Sequence, residues 1–162
     1  MPRQASRFAY NTSMKTLLVP LDFSAASGSL LQTAASLAQS LGARLVVLHV
    51  LQPIVPTGDM MMMPDMAQVS AMQKAAKQDA HAQLTHACEK VAAKGVAIEP
   101  ELLDGPASAV ILERARMLPA DLVIMGSHGH TALYDLLLGS TSHAVLKKTP
   151  CPVVIVPSGS KK

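Results

Sequence analysis

Residues 15–20 (KTLLVP) are a continuous apolar run closed by Pro20, which predicts a short buried strand. Ser24 stands where a helix N-cap belongs. Leu30, Leu31, Ala34, Leu37, Ala38 and Leu41 then share one helical face, and Gly42 supplies the stop. Residues 44–50 (RLVVLHV) form a second apolar run without alternation. Residues 51–65 hold three prolines, one glycine and the run Met60–Met63, and read as a long loop. Its methionines are a flexible loop tip or an adaptable contact surface. Residues 66–94 are predicted helical, with Val69, Met72, Ala76, Ala80, Leu84, Ala87 and Val91 as the apolar stripe and Gly95 as the end. Residues 96–103 alternate, with Val96, Ile98 and Leu102 on one face, and Pro100 demotes them to an edge strand. Asp104-Gly105-Pro106 is a turn, with Pro106 at the first position of a helix that runs to about Met117 before Pro119. Residues 121–126 (DLVIMG) are a third apolar run, residues 139–148 a helix, and residues 152–157 (PVVIVP) a last strand fenced by prolines.

Strands and helices thus alternate from end to end. Apolar strands without alternation, separated by helices, imply an α/β fold with a parallel sheet covered on both faces. Ligands in such sheets bind beyond the carboxyl ends of the strands, where strand order reverses. The length of 162 residues fits one domain, read here as residues 14–157 between a short N-terminal extension (1–13) and a C-terminal tail (158–162). Hydrophobic residues make up 49 %, which excludes a disordered chain. Aromatic residues are only 2 %, so the core is aliphatic and a base-stacking platform for single strands is excluded.

Charge changes the picture only after it is placed. The net charge is +3, but Arg3, Arg7, Lys161 and Lys162 lie in the tails. Between the tails ten Lys and Arg face eleven Asp and Glu. A body without a basic stripe lacks the footprint of a nucleic-acid binder. The two cysteines, Cys88 and Cys151, have no zinc-site spacing. Residues 1–13 lack the apolar core of a secretory signal, and no apolar run reaches the roughly 18 residues that span a bilayer. The expectation is a cytoplasmic protein with no membrane partner.

The most informative stretch is Gly126-Ser127-His128-Gly129 followed by Gly139-Ser140-Thr141. Two glycines leave a buried strand and a third opens a helix. Glycine lets backbone approach a ligand closely, and helix N-termini bind phosphate. Turn formation alone would explain one such pair, whereas three glycines and two hydroxyls at a strand-to-helix crossover favour phosphate binding. No Lys follows Gly139, so this is not a P-loop, and no Rossmann fingerprint occurs. Asp22, just after the first strand, suits either a ribose hydroxyl or simply the start of a helix. His128 and His130, with His143, lack a nearby acid or cysteine set for a metal, and no Gly-x-Ser-x-Gly elbow supports a serine nucleophile.

From Lys15 to Val156 the chain resembles the universal stress protein family, and in particular its ATP-binding subgroup. The resemblance rests on Pro20-x-Asp22-x-Ser24, on His49-Val50, on residues 121–129 (DLVIMGSHG), on residues 136–141 (LLLGST) and on residues 149–153 (TPCPV). The Gly-x2-Gly-x9-Gly-Ser spacing from Gly126 through Ser140 matches that subgroup's nucleotide signature. The resemblance implies an adenine nucleotide alpha hydrolase-like fold, with a five-stranded parallel sheet of order 3-2-1-4-5. It also implies a homodimer joined through residues 152–157. Carried over by position, Pro20 lines the pocket, Asp22 holds the ribose, and the Val50 backbone meets adenine. Met125, Gly126, Gly129, Gly139, Ser140 and Thr141 surround phosphates and ribose. His130, Ala132 and His143 depart from the family's usual residues and leave the glycine cradle intact.

ATP is the implied ligand, with Mg²⁺ as a source of countercharge and Asp22 or Ser140 as its contacts. No residue is assigned a catalytic role. Three functions compete: a nucleotide-binding stress-response module, a slow ATPase, and a nucleotide-free interaction dimer. The absence of any Lys or Arg between Gly126 and Leu146 favours the first.

Overall fold

A computed structural model describes residues 14–53, 65–127 and 138–157. The elements follow in the order β1 (Thr16–Pro20), α1 (Ser27–Leu41), β2 (Arg44–Leu51), α2 (Met66–Ala92), β3 (Ile98–Asp104), α3 (Ala107–Met117), β4 (Leu122–Gly126), α4 (Ser140–Lys148) and β5 (Val153–Val156). The strands form one parallel sheet of order β3-β2-β1-β4-β5. The Met60–Met63 run, Gly129, His128 and His130 lie outside the described residues.

The side-chain period of two explains why the central strands read as unbroken apolar runs. Leu17, Val19, Leu45, Val47, Leu122 and Ile124 face one way and pack under α1 and α2. Leu18, Val46, Leu48, Val123 and Met125 face the other way and meet Ile111, Leu112 and Ala115 of α3 and Val145 of α4. Neither face is wetted, so no polar residue alternates with the apolar ones. Val96, Ile98 and Leu102 do join the first of these layers, as their alternation predicts. Pro100 sits opposite Val47 on the edge strand β3, where its missing N–H leaves no gap in a central ladder.

Polar contacts fix the margins. The Asp121 carboxylate accepts from the backbone N–H of Lys15 at 2.8 Å and of Thr16 at 3.0 Å, which ties the start of β4 to that of β1. On β3, Glu101 and Arg114 of α3 form a two-pronged ion pair, largely shielded from water. The hydrogen bonds that Arg114 donates to Glu101 raise the Arg114 pKa above its ordinary value, so the guanidinium stays charged.

Three local expectations change. Ser24 is not the N-cap of α1; the helix begins at Ser27 behind Ala26, and residues 25–26 form a turn. Asp22 supplies the side-chain acceptor at this end, as described below. Pro106 is the N-cap of α3 rather than its first residue, because the chain is still extended there, with ψ 119°. The apolar stripe of α2 is buried only from Ala80 onward, at Ala80, Leu84, Cys88 and Val91. Met66 and Met72 are exposed. The helix has 27 residues, about 40 Å at 1.5 Å per residue, whereas the eight-residue strand β2 spans roughly 26 Å. Its first half outruns the sheet.

Gly105 turns the chain from β3 into α3 with φ 139°, a region closed to most side chains, and a Cβ there would lie 2.9 Å from Val110 Cγ2. Gly105→Ala is therefore expected to cost about 1–3 kcal/mol of stability, read from the urea midpoint.

Buried Cys88 adds a pH dependence. Desolvation raises its thiol from 9.0 to about 11. Between those values the unfolded chain loses a proton that the folded chain keeps, so stability falls as pH rises. The group contributes at most about 1.4 kcal/mol per pH unit. Urea midpoints of Cys88→Ala are expected to be lower at neutral pH and to decline less steeply above pH 9 than those of the wild type.

Candidate functional site

The strand order reverses between β1 and β4, because the chain winds outward from β1 to β3 and then returns to the far side of β1. No helix can cover the carboxyl ends of both strands at once, and a crevice opens there. It is a cleft of about 310 Å³. Its walls come from the ends of β1, β2 and β4 and from the starts of α1, α3 and α4. Pro20, Asp22, Val50, Met125, Gly126, Gly139, Ser140 and Thr141 all line it. Residues separated by more than 100 positions in sequence are thus brought to one cleft, while Gly129 lies outside the described residues.

The α4 wall is built for close approach. Gly139 is the N-cap, and its N–H donates to the Ser127 carbonyl at 2.8 Å. Its φ of −57° and ψ of 153° suit any residue, so the backbone does not require glycine there. What glycine provides is space beside the cleft. Among the described residues no side chain caps α4, and no acidic residue stands in its first turn. The first N–H groups of a helix have no intrahelical acceptor and carry the positive end of the dipole. Ser140 and Thr141 bring hydroxyls to the same place. Ser142 instead turns inward, where its hydroxyl donates to the Gly126 carbonyl at 2.9 Å and locks α4 to the end of β4. An anion is the natural occupant of such a wall.

The opposite wall is the turn after β1. The Asp22 carboxylate accepts from the Ser24 N–H at 3.0 Å and from the Ser27 hydroxyl at 3.3 Å, so it organises the approach to α1 while lining the cleft. Both readings of Asp22, helix start and cleft wall, are compatible with this position. Phe23 follows with φ 58°, a conformation that costs a bulky residue on the order of 1–3 kcal/mol. Its ring stacks on the His49 imidazole, with centroids 4.1 Å apart and planes at 28°. His49 Nδ1 lies 2.6 Å from the Leu21 carbonyl oxygen. A carbonyl only accepts, so Nδ1 carries the proton and donates.

His49, which the sequence offered only as part of the His49-Val50 motif and without a role, lines the cleft, as do Ser27 and Gln52, which the sequence reasoning did not single out. A His ending an otherwise apolar strand was the available signal for the first. The other two carried none. His143 is exposed on α4, and among the described residues no group of three His, Cys, Asp or Glu is placed to hold a metal ion. Burial pushes the Cys151 thiol up, while the hydrogen bond with the Thr149 hydroxyl acts the other way. The net direction is away from the thiolate that nucleophilic chemistry uses. No helix among the described residues is long and apolar enough to cross a membrane.

Comparison with known proteins bears on this geometry. The family model described as "Universal stress protein family" matches residues 14–157. The universal stress protein YxiE of Bacillus subtilis is 32 % identical over 143 residues, covering 86 % of this chain and 97 % of the relative. A universal stress protein of Thermus aquaticus is 34 % identical over 143 residues, covering 88 % and 98 %. Among solved structures, universal stress protein UspA from Lactobacillus plantarum superposes with a TM-score of 0.76 at 23 % identity, over 88 % of this chain and 97 % of that one. A universal stress protein in complex with cAMP gives 0.68 at 22 %, over 91 % and 99 %. One from Archaeoglobus fulgidus in complex with dAMP gives 0.58 at 20 %, over 88 % and 98 %. The sheet order, the extent of the family match and the identity to full-length relatives agree: the chain belongs to the universal stress protein family.

Proposed function

We propose that the cleft binds an adenine nucleotide, that ATP is its resident ligand, and that binding rather than turnover is the function. The chain then acts as a nucleotide-dependent stress-response module of the ATP-binding subgroup. One observation carries this reading. The start of α4, capped by no side chain among the described residues, brings Ser140 and Thr141 to the same cleft as Asp22 and the end of β2 at Val50. Phosphates fit the first wall, a ribose hydroxyl the carboxylate, and a purine edge the exposed backbone at the end of β2. The cAMP and dAMP complexes of similarly folded proteins support the adenine nucleotide class. The Gly126–Ser140 spacing supports ATP within it.

Mg²⁺ fits this donor set. It keeps several waters and is bound largely through substrate phosphates, and of its two candidate contacts Ser140 stands at the phosphate wall, which leaves Asp22 to the ribose. Bound there, Mg²⁺ supplies charge neutralisation. Asp22 orients the nucleotide, and the α4 N–H groups hold its anionic end. Fast phosphoryl transfer needs further cationic charge aimed at the transferring group. No Lys or Arg lines the cleft among the described residues, and residues 128–137 contain none. Hydrolysis far below the roughly 1–100 s⁻¹ of kinases follows from that poverty of charge.

The edge strand β5 fits a second copy. Val153, Val154, Ile155 and Val156 are half-buried at one edge of the sheet, with β4 as their neighbour on the other side. An apolar edge of this kind invites pairing, and a two-fold axis closes it. We place a homodimer interface at residues 152–157 and the protein in the cytoplasm.

Calorimetry is expected to show ATP binding that Gly139→Val abolishes, since a valine accepts φ −57° and ψ 153° but fills the space beside α4. Unchanged affinity in that variant would overturn the placement. A steady-state turnover in the kinase range, lost in the same variant, would make the protein an enzyme instead.

The double change Val154→Lys with Ile155→Lys is expected to give monomer in sedimentation. Persistence of the dimer would place the interface elsewhere, and a wild-type monomer would remove it.

A further inference from the structure

We infer that the Phe23–His49 stack positions Asp22 for recognition of the ribose, and so sets the preference of the cleft for nucleotides that carry ribose hydroxyls. The inference rests on the nucleotide reading of the cleft and adds two residues to which that reading gives no part. His49 grips the turn after β1 on both sides of Asp22. On one side its Nδ1–H donates to the Leu21 carbonyl at 2.6 Å. On the other its ring lies on Phe23, with centroids 4.1 Å apart. Asp22 is the single residue between these two holds. Leu21 is itself anchored, because its N–H donates to the Leu48 carbonyl at 2.8 Å, one residue before His49. The turn is therefore registered against the end of β2 by three contacts from neighbouring positions. Val50, the next residue of β2, lines the same cleft.

The conformation of Phe23 points the same way. A phenylalanine at φ 58° is held against its own backbone preference, and the stack on His49, together with packing against the core margin, offsets this. Asn or Gly would take that conformation more easily. A bulky residue there secures the ring's place on His49, and with it the direction of the preceding carboxylate. His49 and Phe23 are positioning residues: they act on the ligand through Asp22.

The test uses the full chain and two probes, ATP and 2′,3′-dideoxy-ATP, in calorimetry. The wild type is expected to prefer ATP by about tenfold, the scale of one lost hydrogen bond to a charged group. Asp22→Asn keeps the acceptor that organises the turn and is expected to remove most of the preference. His49→Leu and Phe23→Asn are expected to lower ATP affinity several-fold while leaving 2′,3′-dideoxy-ATP within about twofold. Adding Asp22→Asn to either should bring no further loss. His49→Asn restores an N–H near the Nδ1 position and is expected to recover part of the preference. Phe23→Asn matters because Asn tolerates φ 58°; it removes the stack at a lower backbone cost, and the urea midpoint reports whether it folds. Equal losses for both probes in the His49 and Phe23 variants would mean a general structural role and overturn the inference. So would an intact preference in those variants, or no preference in the wild type. A wild type that binds neither probe would instead overturn the nucleotide reading itself, and this inference with it.

Discussion

Leu17, Val19, Leu45 and Val47 point to one side of the sheet, and Leu18, Val46 and Leu48 to the other, all fully buried. Both faces of a parallel sheet must be kept from water, and four helices meet that demand, two per face. The connections must then cross the sheet in a fixed hand, which forces the winding to run outward from β1 and later to resume on its other side. The cleft is the consequence. It opens where the carboxyl ends of β1 and β4 send their chains in opposite directions. Its existence therefore depends on burial of the sheet rather than on any residue that lines it.

What lines it is set by local chemistry at those strand ends. Ser142 and Gly139 lock the entry of α4 to the exit of β4, and this aims the start of the helix across the cleft. Asp22, Phe23 and His49 do the same for the turn after β1, by a carboxylate that accepts within the turn, a stack and a hydrogen bond. One wall presents the positive end of a helix dipole, with no Lys or Arg among its described residues. The other is acidic. Such a pair suits a ligand with an anionic end and a hydroxyl-bearing end, and it suits tight holding better than fast chemistry. The unusual backbone of Phe23 directly follows Asp22 of the cleft wall, while its ring packs on His49 and against the margin of the core.

The margins follow a different logic. Asp121 satisfies two backbone donors at the start of β1, and Glu101 with Arg114 joins the edge strand β3 to α3. Cys88 lies in the core as a small apolar group, which is why burial alone raises its pKa. The first half of α2 leaves the sheet behind, because a helix of 27 residues is longer than the strands beneath it. Helix periodicity continues regardless of whether anything lies underneath.

The sequence by itself determined the elements, their order and the parallel sheet, because unbroken apolar strands between amphipathic helices admit few other arrangements. It also determined which glycines and hydroxyls would stand at the strand-to-helix crossover. Gly126, Gly139, Ser140 and Thr141 were legible in this way, Asp22 as one of two readings, and Pro20, Val50 and Met125 only through the family resemblance; all eight line the described cleft. Tertiary structure decided what periodicity cannot encode. It shifted the start of α1 from Ser24 to Ser27, because the Asp22 carboxylate, not a serine hydroxyl, organises that turn. It ended the buried stripe of α2 at Ala80, because cover depends on the length of the neighbouring sheet. And it brought His49 onto Phe23 across 25 intervening positions of chain, a contact that exists only because β1 and β2 pair in the register Pro20 to Leu48.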